Sequence, residues 1–574
     1  MGKLEDLAQL KFPDPPLSAA EERVVRAAPD GTVADCRDLG GGDDPEKADG
    51  APEAPDERWP DTRNVRADLI RWLCVDREAR ELVDPKGVWI RGARIKGRLD
   101  LNSTNVLFPL FLWSCRLEQN LHLNSAKMPL LSLEGSWTGS IAADGLNLEG
   151  SLFLRNGFHA EGEVSLIGAT IGGDLEAEGG AFKRPSGNAL NAGGTKNETA
   201  LNAERIKVGG NIFLSEKFVA DGTVQLRGAT IGGDLIATGG TFKNSDGDAL
   251  SADGIKVHGK VVLRDKFLAA GQVVLIGAEI TGQLAVGDAW LDALVLESAQ
   301  ITGSFFWQNI HKDPHPDFPN KEWKPSLYLT AAKVGSLVDQ EASWPEKGRL
   351  FLDGFVYDRI VAGPTDAKAP TDARVPIDAK TRLKWLHLQP DELGFRPQPY
   401  EQLIAVLRRM GHEHQVAEVA IAKQKDLYEH GDLGWWGKVR SWFLYLVVGY
   451  GYEPWRAFGW MAMLVLLGTL VFWSGHSAFV GVMVPSENDA YQSDQRTEKT
   501  TLPYYYPEFH PLVYSLDVIF PFDLGQKSSW RLIERWPGDC AYWGYESYSL
   551  FQLVVGWMLL LVAAAVPAGF IKKD

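Results

Sequence analysis

An eight-residue phrase written three times constrains this chain more than any single residue does. Gly168-Ala169-Thr170-Ile171-Gly172-Gly173-Asp174-Leu175 recurs as Gly228-Ala229-Thr230-Ile231-Gly232-Gly233-Asp234-Leu235. It returns altered as Gly277-Ala278-Glu279-Ile280-Thr281-Gly282-Gln283-Leu284. Such self-similarity marks a stacked repeat, in which each unit buries its apolar face only against its neighbours. A shorter beat runs inside it. Apolar-x-apolar triplets begin at Leu99, Leu110, Leu121, Leu131, Ile141, Leu152, Val164 and Leu175, spaced 11, 11, 10, 10, 11, 12 and 11 residues apart. The beat resumes at Ile212, Val224, Leu235, Val261, Val273, Leu284 and Leu294. Three alternating residues make a short strand with two side chains on one face. Gly, Asn and Asp between the triplets supply left-handed corners.

No helix-length segment breaks the run, which argues against a βαβ sheet. The expected fold is mainly β: a parallel β-helix whose like residues stack at about 4.8 Å, with a meandering antiparallel sandwich as the alternative. The first two copies of the phrase start 60 residues apart and the next two 49 apart. The difference is one strand unit, and it coincides with a duplicated Ala-Leu-Asn-Ala at 189–192 and 200–203. One copy therefore carries an added strand or loop.

Around this solenoid the composition changes. Residues 1–60 are rich in Pro, Gly, Ala and acid, especially from Gly40 to Glu57, and read as a flexible acidic segment. Residues 61–90, with the helical pattern Asn64 to Cys74, read as an N-terminal cap, and 91–360 as the β-helix. A Pro-rich linker is expected over 361–390 and a helical connector over 391–440, built from Pro399 to His412 and Ala417 to Tyr428 as one helical-repeat hairpin. Residues 441–574 form the membrane domain. Between Arg456 and Glu487, and again between Glu546 and Lys572, no charged residue occurs. Each stretch approaches the roughly 20 residues of a bilayer crossing, so a two-span transmembrane α-hairpin is expected at about 457–480 and 548–571. Trp and Tyr cluster at the ends as interfacial anchors do. Lys423, Lys425, Lys438, Arg440 and Arg456 precede the first span and Lys572-Lys573 follow the second, which puts the solenoid and the C-terminus in the cytoplasm.

Formal net charge is −16, from 75 acidic and 59 basic residues, which argues against a nucleic-acid surface. The first twenty residues lack the apolar core of a secretory signal. Four cysteines without a CxxC pair point to a reducing compartment.

Between the spans lies His510 to Asp523, a semi-apolar stretch. The order of span, short helix, span is the plan of two-span pores, and Ser515, Asp517, Pro521 and Asp523 are the candidate pore-lining residues within 511–523. An amphipathic helix on the membrane surface is the plainer reading of the same segment. Val447-Val448-Gly449-Tyr450-Gly451-Tyr452 resembles a potassium filter but precedes the first span, and it reads better as a turn. The Gly-Gly-Asp-Leu phrases lack the strand-to-helix context of a dinucleotide site. His412-Glu413-His414 lacks the i, i+4 spacing of helical ligands, and His311 and His315 sit in a Pro-broken loop. Asp174 and Asp234 occupy equivalent repeat positions, yet Gln283 replaces them in the third copy, so turn stabilisation is the reading. No catalytic, cofactor-binding or metal-ligating set is legible.

Arg66 to Cys74, Gly92-Ala93-Arg94-Ile95-Lys96-Gly97, Pro397 to Leu403 and Tyr450-Gly451-Tyr452-Glu453-Pro454-Trp455 resemble segments of a group of bacterial membrane proteins often labelled "membrane-associated oxidoreductase". The resemblance runs from about residue 60 and implies the bacterial plasma membrane; no redox cofactor is implied by these motifs. By periodicity the solenoid is also similar to bactofilin-like and pentapeptide-type β-helices. The leading expectation is an oligomeric membrane protein with a cytoplasmic sensing or scaffolding β-helix and a pore-forming two-span domain, with no activity legible in the residues. The alternatives are a membrane-anchored scaffold for protein partners without conduction and, on the family label alone, an oxidoreductase. Its partners are the lipid bilayer, further copies of itself and proteins held on the β-helix.

Overall fold

The computed structural model describes residues 2–39, 59–184, 198–362, 378–476, 482–486, 506–532 and 540–565. They fall in two compact units, Met1–His412 and Glu413–Asp574. The first unit is a parallel β-solenoid of about 11 turns. Leu131–Ser132 pairs in parallel with Leu152–Phe153, which pairs in turn with Leu175–Glu176, Ile212–Phe213 and Leu235–Ile236. Three other strands lie between successive partners, so each of these turns carries four short strands and has four faces, whereas Val261–Val274, Leu284–Val295 and Gln300–Ile310 run on as longer strands. Thr170 stacks on Lys207 and Lys207 on Thr230, which sets the first two copies of the phrase two turns apart. Thr230, Lys256 and Glu279 repeat that spacing for the third. In the longer interval, residues 185–197, with the first Ala-Leu-Asn-Ala, lie outside the described residues. The second copy lies in strand Thr199–Asn202, where Leu201 stacks between Val164 and Val224.

Inward residues of the triplets form the core, and a column of phenylalanines fills one inner corner. Phe158, Phe182, Phe218, Phe242 and Phe267 are fully buried, with successive ring centroids 5.4, 5.2, 5.2 and 5.3 Å apart. Polar side chains hold the corners outside. The Asn211 N–H donates to Asp174 Oδ1 at 2.6 Å, the Asp234 N–H to Asn211 Oδ1 at 2.8 Å and the Lys260 N–H to Asp234 Oδ1 at 2.8 Å. Each carbonyl or carboxylate oxygen thus satisfies a backbone donor one turn further on. Asp174 and Asp234 are parts of that ladder.

Helical caps cover edges that would otherwise expose unpaired backbone. Helices Lys3–Lys11 and Ala19–Ala27 lead into strand Val33–Asp35, which pairs with Val88–Arg91. Glu21, almost fully buried, binds Arg66 through two contacts of 2.7 and 2.8 Å. The flexible segment expected over 1–60 is therefore folded from residue 3 to the end of that strand, while Gly40 to Glu57 lies outside the described residues. At the other end, helix Ala379–Leu386 occupies part of the expected 361–390 linker. Its Arg382 forks onto Asp339 at 2.7 and 2.6 Å, both side chains being buried. Residues 363–377 lie outside the described residues.

Helix Pro397–Arg409 closes the first unit. Gln398 and Gln402 donate their amide N–H groups to the carbonyls of Phe355 and Tyr357 at 3.0 and 2.6 Å. The other helix of the expected 391–440 connector, Glu413–His430, opens the second unit.

The second unit continues with helix Trp435–Val448 and two helices, Trp455–His476 and Trp543–Ala564, long and apolar enough to cross a membrane. Between them stand the short helix Pro511–Ile519 and an antiparallel pair, Met483–Pro485 with Trp530–Leu532. The filter-like phrase before the first span is a tight turn. Gly449, Tyr450 and Gly451 all take left-handed φ values of +54°, +56° and +88°, and the Tyr450 hydroxyl meets Ser441 Oγ at 3.0 Å.

Candidate functional site

The segment from Tyr506 to Leu532 enters between the two apolar helices and leaves at the end where it entered. Tyr514 sets its ring edge-on to Phe472, near the C-terminal end of Trp455–His476, at 4.8 Å. Ser515, one residue on, donates its hydroxyl to the carbonyl of Val465, midway along that helix, at 2.9 Å. Gln552, near the middle of the second helix, donates its amide to Ser515 O at 3.0 Å and to Ser515 Oγ at 2.7 Å. Ile519 then lies against Gly556, beyond that midpoint: a Cβ on Gly556 would stand 2.8 Å from Ile519 Cγ2. The chain reverses over Phe520–Gly525 and returns, and Trp530 packs beside His476 at 5.1 Å and Phe509 at 5.2 Å.

Gly468 lets these three helices meet. A Cβ there would stand 2.6 Å from both Gln552 amide atoms and closer still to Ser515 Oγ. The polar knot is sealed, since Ser515 and Gln552 are fully buried, and Gln552 Oε1 has no hydrogen-bond partner.

Of the four candidate lining residues, two face inward and two outward. Ser515 belongs to the knot. Asp517 is 2 % exposed and joins the two limbs of the hairpin: Oδ1 accepts the Leu524 N–H at 2.7 Å, and Oδ2 accepts those of Gln526 and Lys527 at 3.0 and 2.8 Å. Within one chain neither lines an open surface, because both are spent on holding the hairpin together. Pro521 and Asp523 are exposed on the reversal, together with Phe522 and Leu524. The Gly525 N–H donates to Asp523 Oδ1 at 2.7 Å. The reversal thus presents an exposed carboxyl group.

Elsewhere the chemistry is quieter. Burial pushes the thiols of Cys36, Cys74 and Cys115 up to about 12, so they stay protonated and unreactive at neutral pH. Among the described residues no group of three His, Cys, Asp or Glu is placed to hold a metal. His311 stacks on Trp290 at 3.9 Å and contacts Asp288 at 2.6 Å; the His315 ring meets the same Trp290 edge-on.

One solenoid feature escaped the reading of its sequence. On the face built by Val88–Arg91 and the strands stacked on it, the outward row runs Trp89, Phe111, Ser132, Phe153, Glu176, Phe213, Ile236, Val262, Ala285 and Phe306. Its half-buried aromatics are interrupted by Ser132 and Glu176, whereas the face through Lys127, Asn147, Thr170 and Lys207 is polar. The middle residue of every second triplet carries that signal, which the apolar beat on either side hides. No protein-family model, curated protein or solved structure matches the chain.

Proposed function

We propose that this chain is an oligomeric membrane protein in which copies of the reversal Phe520–Gly525 surround a cation-conducting pore and the cytoplasmic solenoid serves as a scaffold. The observation that carries this reading is an exposed, non-helical stretch beyond the midpoint of two apolar helices. Irregular backbone facing lipid leaves polar groups unsatisfied, and it is tolerated at that depth only against protein or water. Further copies arranged with closed symmetry supply both. Asp523 from each copy then presents a ring of carboxylates to passing cations. Basic residues before the first span and after the second favour a cytoplasmic solenoid.

The test is current through full-length protein in planar bilayers. Asp523→Asn is expected to lower cation-over-anion selectivity about fivefold, the effect of roughly 1 kcal/mol per removed charge. Unchanged selectivity, or a detergent-purified monomer without a central axis, rejects the pore.

The half-buried aromatics of that outward row favour a second reading, a membrane-anchored scaffold without conduction. A face of this kind excludes water best when covered by another protein. Phe213→Lys with Phe306→Lys is then expected to abolish co-purification of bound proteins while leaving membrane extraction behaviour unchanged. Retained binding discards that face as the contact.

A further inference from the structure

Helix Trp435–Val448 has 14 residues, too few to cross a bilayer, yet one side of it is apolar and uncovered. Trp435, Val439 and Trp442, at i, i+4 and i+7, are 68 %, 40 % and 57 % exposed, and Trp436 beside them is 75 % exposed. Lys438 and Arg440 project from the same stretch and are also exposed. Its C-terminal end is fixed elsewhere. Val447 and Val448 share a buried cluster with Ala457, Leu559 and Ala563, and the Trp460 indole N–H donates to the Leu446 carbonyl at 3.0 Å. The helix is therefore held where the first span begins and the second ends, by the left-handed turn at Gly449–Gly451. Further cations gather there: Lys425 lies 5.0 Å and Arg456 5.5 Å over the Tyr445 ring.

We propose that Trp435–Val448 lies in the headgroup layer of the inner leaflet and binds anionic phospholipid, its tryptophans at the acyl boundary and Lys438 and Arg440 on lipid phosphates. The inference rests on the reading that the two long helices cross the bilayer. Three exposed tryptophans within eight residues match an interfacial anchor, for which indole rings and basic side chains are the suited groups. Each Lys or Arg near an anionic surface adds attraction that a neutral bilayer does not supply.

The test uses full-length protein in nanodiscs, in a Cys540→Ser background, since the other three cysteines are buried. A fluorophore is placed at Trp436→Cys, and in a separate sample at Leu466→Cys, an exposed position of the first span. Brominated phosphatidylglycerol and brominated phosphatidylcholine serve as quenchers at equal mole fraction. At position 436 the anionic lipid is expected to quench about twofold more strongly, and Lys438→Glu with Arg440→Glu is expected to erase the difference. Equal quenching by both lipids, or none at 436 with quenching kept at 466, overturns the inference and leaves the spans in place. No quenching at 466 overturns the spanning helices, and the inference falls with them.

Discussion

Phe218→Ala is expected to destabilise the solenoid by about 3–5 kcal/mol, the cost typical of emptying a fully buried aromatic site. Phe218 stands at the centre of the inner column, its ring between those of Phe182 and Phe242 at 5.2 Å on each side. Truncation removes the contacts of both neighbours at once, and the surrounding strands are fixed by the parallel ladder, so the cavity cannot close. Because each turn touches only its neighbours, the damage will be local before it is global. Hydrogen exchange should lose protection first in the turns carrying Phe182, Phe218 and Phe242. Phe213→Ala, five residues earlier in the chain on an outward position, provides the control and should cost less than about 1 kcal/mol. Equal losses for the two variants, or loss of protection spread evenly over the solenoid, would contradict the stacked-core account.

The difference between those two phenylalanines shows what was legible in this sequence. The triplet beat determines which residues point inward, because a period of two admits only two faces. From it follows the expectation of a solenoid, but the beat marks only every second strand. Lys127–Met128, Trp137–Thr138, Asn147–Leu148 and His159–Ala160 fall between the triplets, so four strands per turn became visible only in the structure. The apolar, charge-free stretches likewise announce helices long enough to span, since length and composition suffice for that. What the sequence hid depends on contacts between distant residues. The Glu21–Arg66 pair that fastens the N-terminal cap joins positions 45 apart, and a Pro- and acid-rich tract between them dominated the composition. Helix Pro397–Arg409 has the amphipathic pattern of a repeat hairpin, but its glutamines answer open carbonyls of the last turn, which no local pattern reveals.

The same limit applies to the candidate site. Asp517 and Asp523 are both acids in a semi-apolar segment, and nothing in their spacing separates them. The geometry does: one carboxylate accepts three backbone N–H groups inside the hairpin, and the other stands exposed on its tip.

Asp517→Ala is accordingly expected to release the returning limb, Leu524 to Lys527, from the short helix. Hydrogen bonds to a charged group contribute about 1.5–3 kcal/mol each, so the three together set a gross loss of several kcal/mol. The carboxylate's own desolvation, which alanine avoids, offsets part of it, leaving a net cost of roughly 3 kcal/mol or more. Asparagine rescues little, because its amide nitrogen meets N–H donors where the second oxygen stood. The variant should unfold earlier in detergent melts, and a cysteine at position 524 should label faster with a water-soluble maleimide. Asp523→Asn should change neither reading, since an exposed side chain at a loop tip moves stability by less than about 0.5 kcal/mol. The two acids therefore separate cleanly, Asp517 governing the integrity of the hairpin and Asp523 leaving it unchanged. Should Asp517→Ala melt like the parent while Asp523→Asn destabilises, the hairpin would be held from its tip, and the ring of carboxylates would have to be abandoned.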